Sequence, residues 1–240
     1  MATKRLGIIQ SRGLGDVVIA LPIAGQYRDQ GWEVLWPVLE EFVPSLQAMA
    51  PWVKWIPVPY DAPGRYFYDV PMERLRNFKC DEILPLYQAL TSHPEFSAEK
   101  YFQYTSFDQY KYIRAGVPFL KKWTLAQYIT RNPERELKLY NELVTPGRDY
   151  AVLHLEGSDQ RRDFDRGIIP PEWDQIEITA RAGYHLTDWL KIIEGAQSIV
   201  MIDSVYANLV DQLGLGEDRY FIQRSHIGLT PVQGQDWHWL

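Results

Sequence analysis

The sequence predicts an α/β protein with two Rossmann-like domains, each built on a parallel sheet. Short apolar runs alternate with segments of helical spacing, a pattern typical of parallel strands joined by helical crossovers. The alternation occurs twice, before and after a proline-glycine pair at 146–147. We therefore expect one domain over 1–145 and a second, abbreviated domain over 146–240, facing each other across a cleft.

Apolar runs and helical spacing define the elements of the first half. Its predicted strands are LGIIQ (6–10), WEVLWPV (32–38), WVKWIPV (52–58) and DEILPL (81–86). Helical spacing runs from 16 to 30, a short second helix is broken by Pro44, and a third helix covers 72–80. From 92 to 124 the chain is aromatic and irregular, so no element is predicted there.

The second half repeats the alternation after a helix predicted at 134–144. Its predicted strands are YAVLHLEG (150–157), IEITA (176–180), SIVMID (198–203) and, as the last strand, YFIQRS (220–225). Helices are predicted over 186–196 and 204–215. The terminal segment DWHWL is expected to pack back on the body of the protein.

Composition and charge narrow the class of protein. The 240 residues are 46% hydrophobic and 23% charged, which is ordinary for a folded globular chain. No apolar run approaches the roughly 18 residues that cross a bilayer, and the N-terminus lacks the apolar core of a signal peptide. The single cysteine, Cys80, excludes an intramolecular disulfide, so we expect a cytoplasmic protein without a membrane span. The net charge of −6 argues against a nucleic-acid partner without excluding one.

A glycine-rich loop joins the first predicted strand to the first helix. It reads Gly13-Leu14-Gly15-Asp16 and lacks the third glycine of a dinucleotide-binding fingerprint. Asp16 would also repel a pyrophosphate, by about 4 kcal/mol at roughly 4 Å and an effective dielectric constant near 20. We therefore exclude a dinucleotide cofactor at this loop. Two roles remain for Asp16: a carboxylate that caps the helix, or a general base beside glycines that let a substrate approach.

Polar residues also follow the predicted strand SIVMID. Asp203 and Ser204 stand at its carboxyl end, where open α/β sheets bind ligands. Ser204 is a suitable N-cap, the amides behind it can receive a phosphate, and Asn208 lies one turn further on the same side. The same residues would equally suit a capped core helix that binds nothing.

The charged loop SDQRRDFDRG carries three arginines, at 161, 162 and 166. A diphosphate donor needs a cationic clamp of this kind to stabilise the charge of its leaving group. The aspartates between the arginines equally suit a solvated loop of mixed charge. Both interpretations of the loop stay open at this point.

The remaining candidate ligand contacts are scattered. Arg12, Glu156 and His226 lie near predicted loops. Glu156 would be placed to orient a donor ribose or a sugar hydroxyl, and a helix-dipole or loop role is an equal alternative. His154 lies within a predicted strand and is expected to be a hydrogen-bonded core residue. The histidines and the single cysteine show no metal-ligand spacing, so neither a metal nor a cofactor is predicted.

Three segments resemble the heptosyltransferase-like glycosyltransferases, family 9 of the GT-B fold. The run GLGDVVIALP (13–22) resembles the GxGD motif of the family with its apolar continuation. GWEVLWPVLEEFVPSLQAMAPWVKWIPVP looks like the second strand, helix and third strand of the family. LTDWLKIIEGAQSIVMIDSVYANLVDQLGL is similar to the donor-side segment, in which an Asp-Ser or Asp-Thr pair joins a strand to a helix.

The resemblance implies roles for particular residues. Asp16 matches the proposed catalytic base of the family, and Asp203 and Ser204 match contacts to the donor. Asn208 stands where family members commonly carry a histidine, and a basic phosphate contact would fall on position 161 or 162. Gly13 and Gly15 of the motif are expected to contact the donor or its phosphate. The co-substrate would be a nucleotide-diphosphate sugar, with no metal required.

Three functional hypotheses follow. The leading one is an inverting glycosyltransferase that binds its acceptor on the first domain and its nucleotide sugar on the second. The acceptor hydroxyl would belong to a glycan, a lipid-linked glycan or another molecule, and a modified DNA base is an alternative acceptor. The third hypothesis is a non-catalytic nucleotide- or sugar-binding module, because about one βα unit of the family is missing between His154 and Ile176.

Overall fold

The protein consists of two compact units. The computed structural model describes residues 3–60, 64–87, 104–224, 230–234 and 236–240. The units are Met1–Ile129 and Thr130–Leu240. Each contains one sheet whose strands are all parallel, so the predicted α/β class with two parallel sheets is confirmed. No helix in the described ranges is long and apolar enough to cross a membrane.

The first unit has a four-stranded sheet. Its strands are β1 (Arg5–Ile9), β2 (Glu33–Leu39), β3 (Lys54–Val58) and β4 (Glu82–Pro85). Its helices are α1 (Leu14–Asp29), α2 (Val43–Met49), α3 (Asp69–Arg76) and α4 (Phe107–Ala115), with 3-10 helices at Glu40–Phe42, Arg65–Phe67 and Phe119–Gln127. The strand order is β3-β2-β1-β4, so it reverses between β1 and β4. The carboxyl ends of two such strands form the place where open α/β sheets bind ligands.

Helix α1 is the central helix of the first unit. Its residues from Val17 to Gly25 are buried, so it lacks the polar face of a surface helix. Tyr112 of α4 donates its hydroxyl hydrogen to the carbonyl oxygen of Ile19 at 2.8 Å. A Cβ on Gly25 would lie 2.3 Å from the ring of Tyr128, so this close approach requires glycine.

Three predictions for the first unit need correction. Pro44 does not break the second helix but lies in its first turn, where a missing N–H is tolerated. The third helix begins at Asp69 and ends at Arg76, earlier than predicted. No element is predicted over 92–124, yet α4 and a 3-10 helix lie in its later part, whereas 88–103 lie outside the described residues.

Charged residues on a buried face explain why α4 escapes a prediction from periodicity. Asp108 and Lys111 are both buried, so the side of α4 that packs inside is not uniformly apolar. Asp108 pairs with Lys122 at 3.0 Å, and both side chains are fully buried. A buried pair of this kind is tolerated because each charge neutralises the other. In the sequence, however, charged residues at buried positions interrupt the hydrophobic periodicity from which a helix is predicted.

The second unit has a five-stranded sheet. Its strands are β5 (Tyr150–His154), β6 (Asp174–Glu177), β7 (Ser198–Ile202), β8 (Asp218–Ile222) and β9 (Trp237–Trp239). Its helices are α5 (Pro133–Leu143), α6 (Leu190–Glu194) and α7 (Val205–Leu213), with 3-10 helices at Arg166–Ile168 and Leu186–Trp189. The strand order is β6-β5-β7-β8-β9, and it reverses between β5 and β7.

Helix α5 belongs to the second unit, which moves the boundary between the units. It packs against α6 and against the 3-10 helix that precedes α6. The guanidinium of Arg135 contacts the buried carboxylate of Asp188 at 2.6 Å. The division therefore falls after Ile129 rather than after residue 145, because these contacts tie α5 to α6 and to the 3-10 helix of the second unit.

The crossover from β5 to β6 contains no α-helix, and only a 3-10 turn interrupts this described stretch. Phe164, Ile168 and Trp173 supply the cover that a helix would give. They pack on a cluster of buried residues: Ala151, Leu153, Leu155, Ile169, Val200 and Ile222. The second unit is therefore abbreviated, as the sequence predicts.

The predicted last strand, β8, is followed by one more. The C-terminal residues Trp237–Trp239 pair with β8 as β9, so the terminal segment packs back as a strand of the sheet. The ring of Phe221 lies 4.8 Å from that of Trp239. A strand of three residues is too short for its pattern to be recognised in the sequence.

The C-terminal strand depends on Asp211 of α7, which is 3% exposed. Its Oδ1 accepts hydrogen bonds from the backbone N–H of Gly234 at 2.6 Å and from the indole N–H of Trp237 at 3.1 Å. We predict that Asp211→Ala lowers the free energy of unfolding by about 2–3 kcal/mol, because both donors lose their acceptor. Urea unfolding measures the loss, with the exposed Glu217→Gln as control; equal stability of both variants would contradict the prediction.

Candidate active site

The first site lies at the carboxyl ends of β1 and β4. Ser11, Arg12 and Gly13 lie in the loop that follows β1, and Tyr87 lies after β4. The backbone N–H groups of Ser11 and Arg12 both donate to the hydroxyl oxygen of Tyr87 at 3.0 Å. Burial raises the pKa of the Tyr87 phenol, so the hydroxyl stays protonated at neutral pH. The loop is thereby fastened to the end of the neighbouring strand.

Gly13 shapes the loop for Asp16. Its φ of 77° lies in the left-handed region, and it is the N-cap of α1. A Cβ at this position would lie 2.4 Å from Oδ2 of Asp16, so both the backbone and the carboxylate require glycine. Gly15 lies in the first turn of α1. Contacts from these glycines to a phosphate stay a prediction.

A buried lysine holds Asp16. Nζ of Lys111 lies 2.9 Å from Oδ1 of Asp16; the lysine side chain is 2% exposed and the aspartate side chain 33%. Nζ also donates to Oε1 of Gln10 at 2.6 Å and to the carbonyl oxygen of Leu86 at 3.3 Å. The three N–H groups of the ammonium therefore have three acceptors, which come from α1 and from the ends of β1 and β4.

This arrangement leaves one oxygen of Asp16 for chemistry. Oδ1 faces Lys111, while Oδ2 lies over Gly13. The negative charge also interacts favourably with the N-terminal end of α1, so a capping role and a catalytic role are compatible. A carboxylate fixed by one oxygen and partly open to solvent can accept a proton from a bound hydroxyl.

The second site lies at the carboxyl ends of β5 and β7. Ser204 is the N-cap of α7, and its Oγ accepts a hydrogen bond from the N–H of Ala207 at 3.4 Å. Nδ1 of His154 lies 2.9 Å from the same Oγ, so His154 is hydrogen-bonded as expected. Burial lowers the pKa of His154 to about 4, so the imidazole is uncharged at neutral pH. The Ser204 hydroxyl is thus hydrogen-bonded within the protein. The backbone N–H groups at the start of α7 are the donors that suit an anion.

Asp203 and Asn208 support the turn from β7 to α7. Asp203 is 5% exposed and Asn208 is 3% exposed. The backbone N–H of Asp203 donates to the carbonyl oxygen of Ile222 at 3.0 Å. The side-chain amide of Asn208 donates to the carbonyl oxygen of Ser204 at 2.8 Å. Direct contacts of these two side chains with a donor stay predictions, and their burial shows that each has a structural role.

The three loop arginines differ in their partners. Arg161 contacts both carboxylate oxygens of Glu177, at 2.5 and 3.0 Å, and Arg166 lies 3.4 Å from Asp163. Arg162 has no carboxylate within 4 Å in the part of the chain that the structure describes. It lines a pocket of about 460 Å³ together with Asp163, Phe164, Asp165, Ile168, Ile222, Gln223 and Leu240. A loop of mixed charge therefore describes Arg161 and Arg166, and a contact of Arg162 with a phosphate stays a prediction.

Two further predicted ligand contacts, Glu156 and His226, stay predictions. Glu156 is exposed and forms an isolated antiparallel bridge with Arg161 through the backbone. His226 lies outside the described residues. Within the described ranges no group of three or more His, Cys, Asp or Glu side chains could hold a metal ion. Independence from metals stays a prediction.

Comparisons with known proteins bear on the fold. No family model and no curated protein matches the sequence. The crystal structure of a family 9 glycosyl transferase from Veillonella parvula DSM 2008 is similar with a TM-score of 0.62 and 11% identity, over 99% of this chain and 85% of that one. E. coli heptosyltransferase WaaC, solved with ADP-2-deoxy-2-fluoro heptose, is similar with a TM-score of 0.54 and 13% identity, over 98% of this chain and 92% of that one. E. coli ADP-heptose lps heptosyltransferase II is similar with a TM-score of 0.55 and 12% identity, over 99% of this chain and 90% of that one.

At these identities the likeness establishes the fold. The chain has the two-unit parallel α/β fold of the family 9 glycosyltransferases over nearly its whole length. The resemblance that the loop motifs indicate is therefore confirmed at the level of the fold.

Lys111 and Tyr87 are the site residues that sequence reasoning missed. Lys111 lies in FDQYKYIRAGVPF, and the one available signal was a lysine among residues otherwise suited to a buried helix face. Tyr87 directly follows the fourth predicted strand, and polar residues at that position are candidates in an open α/β sheet. Both signals are weak without knowledge of which strands are neighbours.

The low pKa of His154 predicts a loss of stability in mild acid. The folded protein keeps this imidazole uncharged down to about pH 4, whereas the unfolded chain takes up a proton near pH 6.5. The free energy of unfolding should therefore fall by about 1.5 kcal/mol between pH 6.5 and 5 on account of this residue. Urea unfolding across this range, compared with His154→Gln, tests it, since glutamine does not titrate. Parallel pH profiles would show that His154 contributes nothing.

The Lys111–Asp16 pair predicts coupled effects on stability. Asp16→Asn leaves the buried ammonium without its counterion, whereas Lys111→Met removes the ammonium itself. We expect the double variant to lose less unfolding free energy than the two single variants lose together, by about 1–2 kcal/mol. The difference is this small because Asp16 is partly exposed to solvent. Urea unfolding of the four proteins measures this coupling. Strict additivity would mean that the two groups do not interact.

Proposed function

We propose that this protein is a glycosyltransferase that moves a sugar from a nucleotide-diphosphate sugar to an acceptor hydroxyl, with inversion at the anomeric carbon. One observation carries the proposal: the Asp16 carboxylate stands where the strand order reverses, with Oδ1 held by Lys111 and a third of the side chain exposed. The structural neighbours support the substrate class, because WaaC was solved with ADP-2-deoxy-2-fluoro heptose.

Asp16 acts as the general base in this proposal. The acceptor oxygen forms a bond to the anomeric carbon while its proton passes to Oδ2 of Asp16. The bond between the anomeric carbon and the diphosphate oxygen breaks, and the electron pair leaves with the nucleotide diphosphate. A single displacement of this kind inverts the anomeric centre. Lys111 fixes the carboxylate through Oδ1, so the base needs no reorganisation during the step.

The leaving diphosphate would be stabilised by groups of the second unit. Arg162 has a guanidinium without a carboxylate partner among the described residues and lines a pocket. The N–H groups at the start of α7, behind Ser204, offer further donors. Together they would offset the charge that develops on the leaving group.

A non-catalytic binding module is the second candidate. The crossover from β5 to β6 lacks an α-helix, so the unit that would hold the nucleotide sugar is smaller than a full α/β domain. Such a unit could retain affinity for a nucleotide or sugar while the protein performs no transfer. Binding without turnover distinguishes this candidate from the first.

The decisive experiment measures nucleotide release from a panel of nucleotide-diphosphate sugars in the presence of glycan acceptors. With the donor that the wild-type protein uses, Asp16→Asn should lower the rate by a factor of roughly 10²–10⁴, because the general base is lost. The affinity for the donor should stay unchanged, since Asp16 acts on the acceptor.

Glu41→Gln is the matched control, because Glu41 is an exposed carboxylate of the same unit. The double variant Asp16→Asn/Lys111→Met separates loss of the base from the effect of an unpaired lysine, and it should be equally inactive. A folded Asp16→Asn protein with the wild-type rate would remove Asp16 as the base. Donors that raise the melting temperature without any nucleotide release would favour the binding module.

A further inference from the structure

Arg12 presents a positively charged group at the carboxyl edge of the first sheet. It directly precedes Gly13, the N-cap of α1, in the loop that also leads to Asp16. Its backbone N–H is fixed by the hydroxyl oxygen of Tyr87 at 3.0 Å. The residue as a whole is exposed, so its head group can be reached from solvent.

Aromatic side chains hold the guanidinium of Arg12 in place. Nη1 donates to the hydroxyl oxygen of Tyr66 at 2.8 Å. Cζ lies 5.6 Å from the ring centroid of Tyr66, 5.8 Å from that of Phe67 and 5.9 Å from that of Tyr60. Tyr60 stacks on the buried Tyr66 with centroids 4.8 Å apart, yet is itself 65% exposed. These contacts orient the head group before any ligand binds.

The charge of Arg12 is not neutralised within the described part of the chain. Three other arginines of the first unit have carboxylate partners: Arg5 with Glu33, Arg28 with Asp29 and Arg65 with Glu73. Arg12 has no carboxylate within 4 Å among the described residues, and only one of its five N–H donors has a protein acceptor there. A pre-oriented guanidinium with unused donors matches the two oxygens of a phosphate or a carboxylate.

We propose that Arg12 binds an anionic group of the transfer substrate, with the exposed ring of Tyr60 packing against the sugar that lies beside it. The inference rests on the proposed function and adds a chemical requirement to it: the substrate carries an oxyanion at the first unit. Asp16, four residues along the same turn, would repel such a group, and Arg12 supplies the opposite charge that lets it approach. The oxyanion belongs either to the donor diphosphate or to an acidic group of the acceptor.

Calorimetric titration with two probes tests the proposal and separates the two sources. Inorganic pyrophosphate stands for the donor diphosphate, and glucuronate stands for an acidic acceptor. Arg12→Gln should weaken binding of one probe about tenfold, as expected for a lost charge-assisted hydrogen bond. Arg12→Lys keeps the charge but loses the planar guanidinium. It should weaken binding of the same probe by a smaller factor.

The control variant is Arg114→Gln, which removes an exposed arginine of α4. Tyr66→Phe keeps the ring and removes the hydroxyl that orients Arg12, without changing the net charge. It should therefore weaken binding of the same probe. Circular dichroism and unfolding curves confirm that each variant is folded.

Each outcome decides the proposal. Weaker pyrophosphate binding assigns Arg12 to the donor, and weaker glucuronate binding assigns it to the acceptor. The proposal is overturned if the wild-type protein binds neither probe, if Arg12→Gln binds both probes unchanged, or if Arg114→Gln weakens them equally. Because no transfer is needed for these titrations, their failure is separate from a failure of Asp16 as the base.

Discussion

One buried ammonium group organises the first unit. The Nζ of Lys111 donates to Asp16, to Gln10 and to Leu86, and so ties α4 to α1 and to the ends of two neighbouring strands. A buried cation is costly unless each of its N–H groups finds an acceptor, so its three partners are constrained together. The position of the carboxylate is therefore a property of the packed unit and not of the glycine loop alone.

The two sheet edges carry different chemistry, for reasons that lie in the residues that end the strands. The first edge holds a carboxylate and a guanidinium that rests on tyrosine rings. The second holds helix amides behind Ser204, the cationic Arg162 and an imidazole that burial keeps uncharged. A transfer from a diphosphate needs a proton acceptor for the nucleophile and charge stabilisation for the leaving group. In the proposed reaction, Asp16 would meet the first need and the groups at the second edge would meet the other.

The second unit compensates for its small size with contacts that are distant in the chain. The crossover after β5 covers the sheet with single side chains instead of a helix. Helix α5 joins the unit through Arg135 and the buried Asp188, and the C-terminal strand is held by Asp211. A five-stranded sheet with little helix around it therefore still encloses an apolar core.

The sequence by itself determined the strands that are buried on both faces, because such strands need continuous apolar letters. It also placed Asp16 and Ser204 correctly after β1 and β7, since each residue lies at the start of the helix that follows its strand. Only the tertiary structure decided that Lys111 reaches Asp16, that α5 belongs to the second unit and that the C-terminus forms a strand. These features rest on contacts between distant parts of the chain, such as the 101 positions between Lys111 and Gln10, and local pattern carries no record of them.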